Sequence, residues 1–197
     1  MQEAKDKDIC IGLLLGEPTW ILPEHRDKLL QIVNRIQGMG FELIHLDLEP
    51  NQLEYTKLSE EYLLAHLLRT VQAVSRSTSL PVEVDLHPRY LDAKKYNFCL
   101  GCGLKNLDFV SVTLMAYVSD PRKVAAIVEP ILEDYPGIPF SIAQSVEPQL
   151  SSKESYADSS KKDFHNALEE LATLTNHKFQ SIYIQSWQDY MDMHDEN

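Results

Sequence analysis

Apolar and polar positions recur along this chain with two different periods. Short apolar, β-branched runs at 9–15, 43–48, 82–86, 109–116, 140–146 and 181–186 have the length and composition of strands. Between them, 24–37, 58–75, 122–134 and 161–175 carry apolar residues at three- and four-residue spacing, as at Leu29, Ile32, Val33 and Ile36. That spacing marks a helix with one buried face. The stretch 94–105 predicts only a short helix. Strands that alternate with helices imply a parallel sheet built from right-handed crossovers.

The strand ends fall at Glu17, Glu49, His87, Tyr117, Glu147 and Trp187, roughly 30–40 residues apart, which is the length of one βα unit of a (β/α)8 barrel. The chain is therefore expected to be α/β: a partial (β/α)8 TIM-barrel-like fold of about six βα units with parallel strands, lacking the first two of eight. Residues 1–197 are expected to form a single incomplete barrel domain, with 188–197 a frayed acidic tail. A doubly wound open sheet is the alternative. It ordinarily carries a Gly-rich phosphate loop after a strand, and the sequence has none.

Four strands end in a titratable residue followed by proline: Glu17-Pro18, Glu49-Pro50, His87-Pro88 and Glu147-Pro148. Proline holds the residue before it extended and stops the strand. These side chains are then expected at the carboxyl edge of the sheet, where parallel α/β proteins bind ligands. Side chains two apart share a strand face, so His45, Asp47 and Glu49 point one way and Ile44, Leu46 and Leu48 the other. The next strand repeats this, with Glu83, Asp85 and His87 opposite Val82, Val84 and Leu86. Later strands align Ser111, Thr113, Met115 and Tyr117, then Tyr183, Gln185 and Trp187. Ionisable groups on an interior face are costly to bury unpaired, so these predict a catalytic or ligand site.

Composition narrows the classes. The chain is 44% hydrophobic and 24% charged over 197 residues, enough apolar material for a folded core. Thirty acidic against eighteen basic residues give a net charge of −12. Such a chain repels phosphate backbones and anionic lipid, so neither nucleic acid nor membrane is an expected partner. The longest apolar run, around residues 9–15, falls far short of the roughly 20 residues a bilayer span needs. The N-terminus has no signal-peptide pattern, so a cytoplasmic location is expected. Of three cysteines, Cys99 and Cys102 form a CxxC; reduced thiols are the ordinary reading, a redox or zinc role the alternative. The polar, Ser-rich loop 149–160 follows a strand end, where substrate lids tend to lie.

The segment 41–49, FELIHLDLE, resembles the fourth strand of family-18 glycoside hydrolases, the chitinase-like group, which ends in D-x-E. Met115-Ala116-Tyr117 resembles that family's M-x-Y at the end of strand six, and Ser186-Trp187 its strand-eight tryptophan. The resemblance departs at Glu42 and His45, where the family has earlier acids, and at Val118, where it has an acid after the tyrosine. It implies Glu49 as general acid, Asp47 and Tyr117 orienting the acetamido group of the substrate, and Trp187 stacking on the sugar. Asp85, Glu147, Gln185, Glu17 and His87 complete the expected carbohydrate-binding set. No cofactor or metal is called for in that reading.

The same residues support two alternatives. His45, Asp47, Glu49, Glu83, Asp85, His87 and Glu147 form a mixed oxygen and imidazole set suited to a divalent cation, as in a metal-dependent sugar isomerase or hydrolase. A six-unit barrel would also keep open sheet edges, pointing to self-association, or to a non-catalytic carbohydrate-binding or truncated barrel.

Overall fold

The computed structural model describes residues 2–92 and 94–195. Its elements run α1 (Gln2–Lys5), β1 (Gly12–Leu15), α2 (Pro23–Ile36), β2 (Leu43–Leu46), α3 (Glu60–Ser77), β3 (Val82–Leu86), α4 (Leu100–Leu104), β4 (Val110–Met115), α5 (Pro121–Asp134), β5 (Phe140–Ser145), α6 (Lys161–Leu174), β6 (Ile182–Gln185) and α7 (Trp187–Asp192). The strands follow one another in sheet order from β1 to β6. The pairs β1–β2, β2–β3 and β5–β6 are parallel. The six expected strands and four long helices all form, with ends shifted by a few residues. Among the described residues, no helix is long and apolar enough to cross a membrane.

Helix starts follow local chemistry. Pro23 and Pro121 open α2 and α5, where a missing backbone N–H costs nothing. Ser59 caps α3 by accepting from the Tyr62 amide at 3.2 Å, and Ser160 caps α6 by accepting from the Asp163 amide at 3.1 Å. The chain divides into two compact units, residues 1–112 and 113–197, with the boundary inside β4.

In the first unit, parity behaves as the sequence predicts. Ile44, Leu46, Leu48, Val82, Val84 and Leu86 are all buried to 1% exposure or less. The helices contribute Leu29 and Val33 from α2 and Leu64, Leu67, Val71 and Val74 from α3 to the buried set. Each strand then leads into a short 3-10 turn opened by the proline: Pro18–Ile21, Pro50–Thr56 and Pro88–Leu91. Four residues beyond each strand-end Glu or His stands a buried apolar side chain, Ile21, Leu53 or Leu91. The recurring strand-(Glu/His)-Pro-x-x-(Ile/Leu) pattern is thus a turn that plants an apolar anchor under the sheet edge.

One expectation about the second unit needs correction. Residues 188–197 were expected to fray, yet α7 covers Trp187–Asp192, and Met193 is 7% exposed in a cluster with Val146, Tyr156 and Phe164. The tail is tied down because Met193 supplies the apolar side chain that the acidic run hides. Residues 196–197 lie outside the described residues. The loop 149–160, placed by its sequence where substrate lids tend to lie, is fastened at Tyr156 and Ser152. Tyr156 donates its amide to the Ser145 carbonyl at 2.9 Å, and its ring lies 5.1 Å from that of Phe164. Ser119 Oγ donates to the Ser152 carbonyl at 2.6 Å.

The cysteines also depart from expectation. Cys99 and Cys102 are joined by a disulfide at the start of α4 rather than held as reduced thiols, and Cys10 is free and exposed. A separation of three residues at a helix start brings two side chains to one side, which sequence spacing permits but does not oblige.

Candidate functional site

The first unit gathers an acid–imidazole cluster on the polar face of β2 and β3. Parallel register sets His45 directly opposite Glu83. From there the His45 imidazole lies between two carboxylates: Nε2 is 2.8 Å from Asp85 Oδ1, and Nδ1 is 3.8 Å from Glu83 Oε2. All three side chains are largely shielded, at 14%, 13% and 4% exposure for His45, Asp85 and Glu83. Burial drives the His45 pKa down, but its hydrogen bond to Asp85 and the charges of Asp85, Glu83 and Asp47 outweigh that, so the net shift is upward. The upward shift favours the imidazolium form, which donates to Asp85 and directs its second N–H toward Glu83.

Asp47 stands two residues beyond His45, just past the end of β2. Burial, with Asp85 and then Glu49 as like charges, pushes its carboxyl from an ordinary 3.8 up to about 6, while His45 pulls the other way. Its Oδ1 is buried and has no hydrogen-bond partner in the protein. A half-buried carboxyl with one orphaned oxygen is costly to keep unless it carries a proton or meets a ligand.

The remaining expected residues divide by role. Glu49 is half-buried, and its carboxylate accepts from the Gln52 and Asn51 side-chain amides within its own turn. Glu17 is exposed, and its Oε1 accepts from the Thr19 amide at 3.0 Å and the Thr19 hydroxyl at 2.7 Å. Those two bonds hold its carboxyl below the usual range. His87 Nδ1 accepts from the Arg89 amide at 3.1 Å, and burial, then Arg89 and Lys95, keep the ring's pKa low. Glu17 and His87 thus serve as caps of their turns. Tyr117, Glu147, Gln185 and Trp187 belong to the second unit. There Glu147 accepts from Ser145 Oγ at 3.1 Å, Tyr117 is half-buried and Gln185 is exposed. Trp187 is 66% exposed with its ring 5.7 Å from Tyr190.

His45 and Glu83 hold the centre together, although the chitinase-like resemblance gave neither a part. Strand parity, which aligns both with Asp47 and Asp85, was the signal that could find them. The mixed donors suit a hard cation by chemistry, but among the described residues no group of three His, Cys, Asp or Glu is arranged to hold a metal ion. His45 directs its ring nitrogens at Asp85 and Glu83, so a bound metal would require one of these partners to be released.

No family model matches the chain, and no curated protein matches it. Its fold is similar to solved structures. One is a protein assigned as a phosphonomutase from Burkholderia cenocepacia J2315, at 10% identity and a TM-score of 0.52, covering 89% of this chain and 68% of that one. The fold is TIM-barrel-like. Two further structures are similar at lower scores: 7,8-dihydropteroate synthase from Vibrio fischeri ES114, at 10% identity and a TM-score of 0.49, and PhdJ bound to a substrate intermediate, at 14% and 0.47. Each covers 89% of this chain, which spans 60% and 65% of their lengths.

These findings bear out the partial barrel of parallel βα units and overturn the family-18 assignment. The solved structure it resembles at a TM-score above 0.5 is assigned as a phosphonomutase, not as a glycoside hydrolase. The motifs behind that assignment were two or three residues long, short enough to recur on any strand with alternating acids. With it falls the glycosidase reading in which Glu49 is the general acid. The surroundings raise Asp47 toward neutrality, while Glu49 is engaged by its own turn.

Proposed function

We propose that this chain carries the proton-transfer centre of a barrel enzyme, with Asp47 as the group that gives and takes the proton. The observation that carries the reading is the orphaned, buried Asp47 Oδ1 beside a paired His45 and Asp85. A carboxyl that titrates at about 6 still holds its proton in roughly a tenth of molecules at pH 7 and is available as a base in the rest, which suits general acid–base work. In its imidazolium form His45, clamped by Asp85 and Glu83, supplies a positive charge that stabilises an oxyanion developing beside Asp47. Asp47, Glu49, Glu83 and Asp85 together disfavour anionic substrates, so the reading favours a small uncharged or cationic compound bearing hydroxyl or carbonyl groups.

A second reading, the metal-dependent isomerase or hydrolase raised from the strand-end ligands, draws support from the same orphaned oxygen. It requires His45 or Asp85 to leave its present partner. The test is exchange of carbon-bound hydrogen in D2O, followed by proton NMR across a panel of small carbonyl and hydroxy compounds, with EDTA or with Mg2+. Exchange under EDTA that rises through an apparent pKa near 6 and disappears in Asp47→Asn is the expected result. Exchange only with Mg2+ moves the assignment to the metal reading. No exchange in either condition, or exchange that survives Asp47→Asn, overturns the proposal.

A further inference from the structure

A second cluster of chemistry-bearing side chains lies on the helices of the first unit, on α2 and α3. Arg26 of α2 reaches across to α3, where Nε donates to Thr70 Oγ1 at 2.8 Å and Nη2 donates to the carbonyls of Ile21 and His66, each at 3.3 Å. Thr70 is fully buried and passes its own proton to the Trp20 carbonyl at 3.2 Å. Arg26 is thereby locked in place, with Nη1 left over.

The His66 imidazole, 8% exposed, lies between two guanidinium groups. Arg26 Nη2 is 3.4 Å from its Nδ1, and Arg69 Nη1 is 3.4 Å from its Nε2. The Tyr62 ring covers one side, 4.2 Å away between centroids. Burial, Arg69 and Arg26 all press the ring toward its neutral form. A neutral imidazole accepts at one nitrogen only and carries a proton on the other. In either tautomer, one ring N–H therefore faces a guanidinium N–H, donor against donor. Among the described residues, the side-chain partners of both arginines are hydroxyl, carbonyl and imidazole groups, with no carboxylate. Glu24 and Asp27 act only at longer range.

Two guanidinium groups thus flank one imidazole with no carboxylate among the described residues paired to either, in a chain of net charge −12. We propose that His66 and Arg69, backed by the locked Arg26, form a binding site for a small oxyanion, a phosphate or carboxylate group, which would accept from the imidazole Nε2–H and the Arg69 guanidinium. Arg forks match the geometry of both anions, so the source is separated by experiment rather than by shape. The site shares no residue with the Asp47 centre and stands whether or not that proposal holds.

The test uses inorganic phosphate and acetate in parallel, at constant ionic strength set with chloride, on the full chain. Two readouts are followed: the thermal midpoint and the ring resonances of the histidines. Phosphate or acetate at several times its dissociation constant is expected to raise the midpoint by about 2–4 °C and to shift the His66 ring signals. Arg69→Ala, a change at an exposed side chain, should weaken binding at least tenfold. Arg76→Ala, one turn or more further along the same helix, should leave it unchanged. A response to phosphate alone assigns a phosphoryl ligand, and a response to acetate a carboxylate. No His66 shift with either anion, or the same response in Arg69→Ala as in the parent, overturns the site. Equal loss in Arg76→Ala also overturns it, as diffuse attraction to the helix.

Discussion

Replacing Asp47 with asparagine tests the electrostatics of the acid–imidazole cluster most directly. The folded chain holds the Asp47 proton up to about pH 6, whereas the unfolded chain releases it near the ordinary 3.8. Between those values the folded state binds more protons, so stability falls as pH rises through the window and stays reduced above it. The gap corresponds to roughly 3 kcal/mol, and because the carboxyl is only half-buried, solvent screening reduces this to about 1–2 kcal/mol. Asparagine keeps the shape and removes the charge. Some of the gain is offset, since the Asp47 charge also helps hold the proton on His45.

Asp47→Asn is therefore expected to stabilise the protein by about 1 kcal/mol at pH 8, a rise of roughly 2–4 °C in midpoint, and by nothing measurable at pH 3.5. The assay is urea unfolding across that range. The chain has two tryptophans, Trp20 in the first unit and Trp187 in the second. A Trp187→Phe background leaves Trp20 as the reporter of the unit that holds the site. A variant less stable than its parent at pH 8, or equally stabilised at both ends of the range, refutes the account of a strained carboxylate. A gain confined to high pH would also match the common trade of stability for function at active sites.

Two further changes probe neighbouring residues. His45→Gln should cost roughly 2–3 kcal/mol near pH 6 by leaving Asp85 and Glu83 without their cation. Because the folded His45 pKa is raised, this contribution is fully present below the ordinary 6.5 and fades as pH climbs through the folded value; a loss that grows toward pH 9 would contradict it. Glu17→Ala should cost about 0.5–1 kcal/mol at neutral pH by removing the turn cap. As its folded carboxyl pKa is lowered, the loss should shrink as pH falls below the ordinary 4.5; unchanged unfolding curves would show that the cap contributes nothing.

The polar strand ends show how far local pattern reaches. Parity alone put His45, Asp47, Glu83 and Asp85 on one face, because alternation along a strand is a property of backbone geometry. The X-Pro ends were legible as strand stops for the same reason. Their meaning as a ligand-binding rim was not, since Glu17 and His87 turn back to cap their own turns through side-chain rotation that no spacing encodes. Residues 188–195 were misread because one buried Met193 outweighs the acidic residues around it.

What the sequence by itself determined is therefore the periodic part: six βα units, a parallel sheet, the buried apolar faces and the strand bearing Asp47. These follow from short-range periodicity and backbone sterics, which any reader of the chain can apply. Tertiary structure alone decided the chemistry. It set His45 across from Glu83 and within reach of Asp85, orphaned Asp47 Oδ1, and closed Arg26 and Arg69 around His66 from two helices. Those arrangements depend on the register between strands and the packing of α2 on α3, distances between residues some 40 positions apart that local periodicity does not contain.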